Sequence, residues 1–214
     1  MDEEVVIIDE KTRNEKIKNF ILENKKIIII IISIVIISFL VLFAINEIKK
    51  NNKIILANNF NNITADFETG KKNNTSKELK DIIKKLDNTY SPLALFFLID
   101  NDLIENIEEG NILFDILINE TKLEKEIKNL IIYKKALLNS GLIDENELLN
   151  ILNPIINSNS VWKPHALYLI GEYFYSKDEK EKAKNFFDEI LILKDINNDI
   201  LSETQKRISR DYSE

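Results

Sequence analysis

The sequence predicts an all-α protein, with one membrane-spanning helix near the N-terminus and a helical domain after it. Three observations carry this. Residues 27–45, IIIIIISIVIISFLVLFAI, hold no charge, and Ser33 and Ser38 are their only polar side chains. Apolar residues after position 46 recur at spacings of three and four, and nothing alternates with period two over a useful length. Four glycines and three prolines in 214 residues are too few for a turn-rich β-sandwich.

The apolar run comes first. A helix of this length is roughly 28 Å long, close to the ~30 Å hydrocarbon core of a bilayer. Ile and Val are poor helix formers in water. In lipid the backbone must satisfy its own hydrogen bonds, so helix still wins. A signal peptide would have a shorter apolar core and a small-x-small cleavage site after it. Phe43-Ala44-Ile45-Asn46 offers none, so the run reads as an uncleaved anchor.

Residues 1–26 form the tail before the span. Residues 1–10 are acidic around a small apolar cluster, Val5 to Ile8. From about residue 10 to 24 the pattern is helical, with Ile17, Phe20 and Ile21 on one face among Lys11, Arg13, Lys16, Lys18 and Glu23. Two readings fit this stretch: a helix lying on the headgroups, or a solvated, frayed tail. Lys11, Arg13, Lys16, Lys18, Lys25 and Lys26 precede the span, against Lys49, Lys50 and Lys53 after it. The bias predicts a cytoplasmic N-terminus. The large domain is then expected across the membrane, which is the periplasm if the cell is Gram-negative.

Composition narrows the function classes. With no cysteine, disulfides, thiolate zinc sites and cysteine nucleophiles are excluded; a single histidine makes a His-based metal centre implausible. A net charge of −7 argues against nucleic acid as a partner. No phosphate loop, nucleophile elbow or metal-ligand spacing is present. The expectation is a non-enzymatic protein without cofactor, metal or small-molecule substrate.

Residues 46–75 read as a juxtamembrane helix, to about Thr64, and a polar loop. The helical domain is placed at 76–214. Ser76 is read as an N-cap for Leu79, Ile82, Ile83 and Leu86. Pro92 starts the next helix with Ser91 as its cap, and Leu93, Ala94, Phe97 and Leu98 as its apolar face. A turn near Asn106 leads to Gly110, Leu113, Phe114 and Leu117 on one face. A helix from about 122 to 139 carries Ile127, Leu130, Ile131, Leu137 and Leu138, ending at the cap pair Ser140-Gly141. Asp144 caps a short helix with Leu148, Leu149 and Leu152, stopped by Pro154. The last full pair covers about 164–175 and 178–193, and a final amphipathic helix about 198–209.

A repeat lies within these pairs. Gly110-x3-Phe114-Asp115-x-Leu117 matches Ala183-x3-Phe187-Asp188-x-Ile190 in the same register, at an offset of 73 (183 − 110), or two units of roughly 36–37 residues. The last pair fits the tetratricopeptide pattern, with generic packing of a helical hairpin as the alternative: Leu167-x2-Ile170-Gly171-x2-Phe174, then Ala183-x3-Phe187-x2-Ile190. Gly171 and Ala183 are expected to let two helices approach closely. Phe174 and Phe187 fill the space beside them, and Leu167 and Ile190 bury against the neighbouring pair. Asn101 falls where a first helix wants an aromatic, so the earlier pairs are divergent repeats.

With its charged tail, single span and degenerate tetratricopeptide-like domain, the chain resembles the ancillary subunit of the SecYEG translocon and its repeat-like relatives. The stretch Val161-Trp162-Lys163-Pro164-His165-Ala166-Leu167 is similar to a Trp-containing start of the last repeat in that family. The resemblance implies an inner-membrane protein whose periplasmic domain contacts the translocon, periplasmic chaperones or emerging secreted chains. A different class, an envelope scaffold holding a cell-wall or division enzyme, fits the same architecture.

Stacked helix pairs present a concave face built from the first helix of each pair. In the last pair that face carries His165, Tyr168, Glu172 and Tyr175, at i, i+3, i+7 and i+10. Tyrosine suits interfaces because it offers rigid apolar area and a polar tip. This stripe is read as lining a partner groove; a half-exposed face without ligand is the alternative. At its helix start, His165 on its own reads as a polar surface residue. Glu108-Glu109, Glu145/Glu147 and Asp178-Glu179 lie near helix starts, where acids offset the dipole, so capping explains them better than paired-carboxylate chemistry.

Overall fold

A computed structural model describes residues 13, 15–71, 74–194 and 196–212. The acidic segment and the start of the tail helix expected from the sequence lie outside them. Among the described residues every regular element is a helix. Residues 15–23 are helical (α1). There follow α2 (Lys25–Glu68), α3 (Thr75–Ile83), α4 (Tyr90–Asp100), α5 (Ile107–Glu120), α6 (Lys125–Asn139), α7 (Glu145–Ile156), α8 (Lys163–Ser176), α9 (Lys180–Leu191) and α10 (Asn198–Asp211). The chain divides into two compact units, Met1–Ile55 and Leu56–Glu214.

In the first unit, α2 carries the apolar run. It is long and apolar enough to cross a membrane, and none of its residues is buried. Ser33 Oγ donates to the carbonyl of Ile29 at 2.8 Å, so the hydroxyl is satisfied within its own helix.

The second unit has two apolar cores. The first gathers Leu79, Ile82 and Ile83 of α3, Ala94, Leu95 and Leu98 of α4, Leu113, Phe114 and Leu117 of α5, and Ile131 of α6. Leu56, Phe60 and Ile63 pack against it, so the compact unit takes in part of the stretch read as juxtamembrane. The second core runs from Ile132 and Ala136 of α6 through α7 and α8 to Ala183, Phe187 and Ile190 of α9. Helix α6 serves both, with Ile131 turned to one and Ile132 to the other. From α3 on, consecutive helices pack on each other, the α8–α9 hairpin most extensively; α3 also meets α5, and α6 and α10 also meet α8.

Several local expectations change. Helix α3 begins at Thr75, and the Ser76 hydroxyl donates instead to the carbonyl of Leu103 at 2.8 Å. Ser91 lies inside α4 and donates to the carbonyl of Ile82 at 3.0 Å. Asp87 supplies the cap-like contacts, accepting from the amides of Thr89 and Tyr90 at 2.8 Å. Pro154 lies within α7, which continues to Ile156. Gly141 does not take the left-handed conformation that a glycine C-cap uses. On α6 the buried positions are Asn129, Ile131, Ile132, Ala136 and Asn139, while Ile127 and Leu137 face solvent. Of this face the sequence reading has Ile131, and it lacks Asn129, Ile132, Ala136 and Asn139. Asp144 caps α7 as expected, accepting from Glu147 N at 2.9 Å, and Asn106, read only as a turn, caps α5 by accepting from Glu109 N at 2.8 Å.

Candidate functional site

The α8–α9 hairpin builds the site from the inside out. Pro164 sits in the first turn of α8, where its missing N–H costs nothing. The packing residues read from the repeat are all buried: Leu167, Ile170, Gly171 and Phe174 on α8, Ala183, Phe187 and Ile190 on α9. Gly110 and Phe114 are buried on α5. A Cβ on Gly110 would come to 3.1 Å from Leu138 Cδ2. Phe174 stacks on Phe186 with ring centroids 5.5 Å apart and planes 5° from parallel. These contacts fix the rotation of α8, and so the direction of its other face.

On that face the structure brings together Tyr168, Glu172 and Tyr175, and lays α10 against them. The Tyr168 ring lies 5.4 Å from that of Phe187. Arg207 of α10 donates from one guanidinium nitrogen to Glu172 Oε2 at 2.6 Å and from another to Asp211 Oδ2 at 3.0 Å. Its guanidinium carbon stands 4.0 Å from the centre of the Tyr175 ring, a cation–π contact. Tyr212 closes the end: its ring faces Tyr175 at 6.3 Å and Phe187 at 6.4 Å, and its hydroxyl donates to the carbonyl of Lys180 at 3.1 Å. Burial, with the charges of Glu172 and Glu203 behind it, pushes the Tyr168 hydroxyl up. Burial also raises the Glu172 carboxyl, against the opposing charge of Arg210 and with the like charge of Asp211.

His165 is set apart from the other three. It packs between aromatic rings, 5.3 Å from Trp162 and 6.0 Å from Tyr133. Tyr133 and Trp162 stack with planes 19° apart. His165 is thus half-buried rather than a polar surface residue. Burial lowers its pKa, and Nδ1 finds no partner among the described residues. The loop before α8 is held by a closed polar network. Asn129 donates to Ser160 Oγ at 2.9 Å, and that hydroxyl donates to Glu126 Oε2 at 2.7 Å. The amides of Trp162 and Val161 donate to Ser160 Oγ and Glu126 Oε2, both at 3.1 Å. This loop, residues 193–194 and residues 196–197 border a cavity of about 940 Å³ whose lining includes Trp162, His165, Leu193 and Ile196.

The acidic pairs fall at helix starts: Glu108 and Glu109 in the first turn of α5, Glu145 and Glu147 in that of α7, and Asp178 and Glu179 just before α9. Glu109 also meets Lys80 at 2.5 Å. Burial raises its carboxyl, but the hydrogen bonds from Lys80 and the Glu105 amide outweigh this and hold it below the usual range. Among the described residues no group of three or more His, Cys, Asp or Glu is placed to hold a metal ion.

Sequence reasoning did not single out Arg207, Asp211, Tyr212, Tyr133 or Trp162 as parts of this face. The spacing of Arg207 and Asp211, with Ile208 and Tyr212 beside them, was the available signal on α10. The chain matches no family model, no curated protein and no solved structure.

Proposed function

We propose that this chain is a membrane-anchored protein-interaction module, docked on partners through the second compact unit. The observation that carries the reading is α2: an uncharged helical run with no buried residue, in a chain whose other unit is a helical domain with its own cores. Outward-facing Ile, Leu, Val and Phe over this length are stable in lipid and costly in water. The tetratricopeptide-like register of α8 and α9 supports the docking role, since such hairpins present one helix face to ligands.

The Lys/Arg bias supports a cytoplasmic N-terminus and a periplasmic domain at the inner membrane. The resemblance to the ancillary translocon subunit supports the Sec translocon, periplasmic chaperones and emerging secreted chains as partners. Photo-crosslinking from exposed positions of the domain in native membranes tests this. Capture of translocon subunits or periplasmic folding factors is the expected result. Capture of cell-wall synthases alone would transfer the chain to the envelope-scaffold class. A C-terminal reporter active only in the cytoplasm would overturn the topology.

A further inference from the structure

The face of α8 read as a partner groove is filled by the chain's own last helix, and the manner of filling says what the groove selects. Among its described residues only Thr204 of α10 is buried. Ile208 and Tyr212 are partly buried against the second core. Helix α10 packs on α9 and also meets α8, where Arg207, its side chain 13% exposed, lies between Glu172 and the Tyr175 ring. A carboxylate in line with an aromatic face is a guanidinium site.

The fit is incomplete. Arg207 gives Glu172 one hydrogen bond, because its second terminal nitrogen is turned to Asp211, four residues on along the same helix. Arg207 Nε is buried, with no partner among the described residues. An arginine without such an acidic neighbour can give the same carboxylate two parallel hydrogen bonds, the stronger arrangement.

We propose that α10 is an intramolecular occupant of an arginine-reading groove formed by Tyr168, Glu172 and Tyr175. The groove's external ligand is an amphipathic helix that presents one arginine between aliphatic or aromatic residues, and it binds by displacing α10. This rests on the docking role proposed above. The cis helix lowers the apparent affinity for the external one by the fraction of time the groove is open, so α10 sets a threshold for capture.

The test uses the full chain in detergent micelles and a fluorescein-labelled peptide copying residues 197–212, read by anisotropy. Tyr212→Ala and Arg207→Ala each loosen α10 and leave Tyr168, Glu172 and Tyr175 in place. Both variants should bind the peptide at least tenfold more tightly than the unaltered chain. A peptide with alanine in place of its arginine at 207 should lose at least tenfold, and adding Glu172→Gln to Tyr212→Ala should abolish the gain. Equal binding of the two peptides, or no gain in folded loosened variants, would overturn the proposal. Dimerisation of those variants without peptide capture would give the groove to a second copy and overturn it likewise. Hydrogen exchange on the unaltered chain guards against variants that fail to fold. Amides of α10 should exchange faster than those of α8 and α9, more so at 500 mM salt than at about 50 mM, where screening is weaker. Exchange of α10 in step with α9 at both salts contradicts a displaceable helix. The assay needs neither translocon nor membrane orientation, so its failure leaves the docking partner and topology to their own experiment.

Discussion

Gly171 of α8 lies against the ring of Phe187 of α9, so close that a Cβ added to the glycine would stand 2.5 Å from Cε1 and 2.8 Å from Cζ. Phe187 is fully buried, and Tyr168 and Tyr212 flank its ring. With the ring enclosed in this way, the hairpin's closest approach depends on the missing side chain.

Gly171→Ala should therefore destabilise the second unit despite alanine's better helix propensity. Overpacking a core costs about 1–3 kcal/mol, against a gain of roughly 0.5–1 kcal/mol from replacing a helical glycine. Thermal melts by circular dichroism should show a lower midpoint for Gly171→Ala and a still lower one for Gly171→Leu. An unchanged or raised midpoint would mean the ring moves freely.

Phe187→Ala removes the ring from the same contact and leaves a cavity. The expected loss is about 3–5 kcal/mol. Urea unfolding should show the midpoint shift; a loss under about 1 kcal/mol would mean the hairpin collapses onto the space.

The loop before α8 depends on a polar network rather than an apolar contact. Ser160→Ala removes the hydroxyl that accepts from Asn129 and Trp162 and donates to Glu126. Buried Asn129 is left with an unpaired amide, at a cost of about 1–3 kcal/mol. Asn129→Ala combined with Ser160→Ala should cost less than the sum of the two single changes. Additivity in the double-mutant cycle would show that the two side chains act separately.

His165 couples stability to pH. Its folded pKa lies below the ordinary 6.5, because burial among Tyr133 and Trp162 disfavours the charged ring. The unfolded chain then binds the extra proton first as pH falls through 6.5, and stability is lost until the folded pKa is passed. Comparing melting midpoints at pH 7.5 and 5.5, the unaltered chain should lose more than His165→Gln does. Equal losses in the two proteins would assign the pH dependence to other groups.

Asp178 sits between α8 and α9 with φ at 61°, exposed, and its 3.8 Å pairing with Lys180 is solvent-exposed. Asp178→Gly should relieve left-handed backbone strain and raise stability by up to about 1 kcal/mol. A fall in the midpoint would show that the side chain contributes something the backbone angle does not reveal.

The sequence made the helices and the α8–α9 packing legible, because both follow from periodicity. Gly171, Ala183 and Phe187 hold fixed places in a repeated pattern, and Asp144 holds a fixed place relative to a helix start. The face of α6 was legible only through Ile131. Its buried positions include Asn129 and Asn139, whose partners Ser160 and Asn111 lie 31 and 28 residues away. The covering of Tyr168, Glu172 and Tyr175 was also hidden. An amphipathic stripe announces that something packs on it, but not whether that is a partner or the chain's own end. His165 looked like surface because its shelter comes from Tyr133 on another helix.

Trp162 is the chain's only tryptophan, and it packs with the second core, apart from the first. Its emission is therefore a one-sided gauge: it registers the melting of α7, α8 and α9 and is blind to α3, α4 and α5. Far-ultraviolet circular dichroism weighs both halves. A gap between the two transition midpoints would measure how firmly α6, the helix shared through Ile131 and Ile132, makes the two cores melt as one.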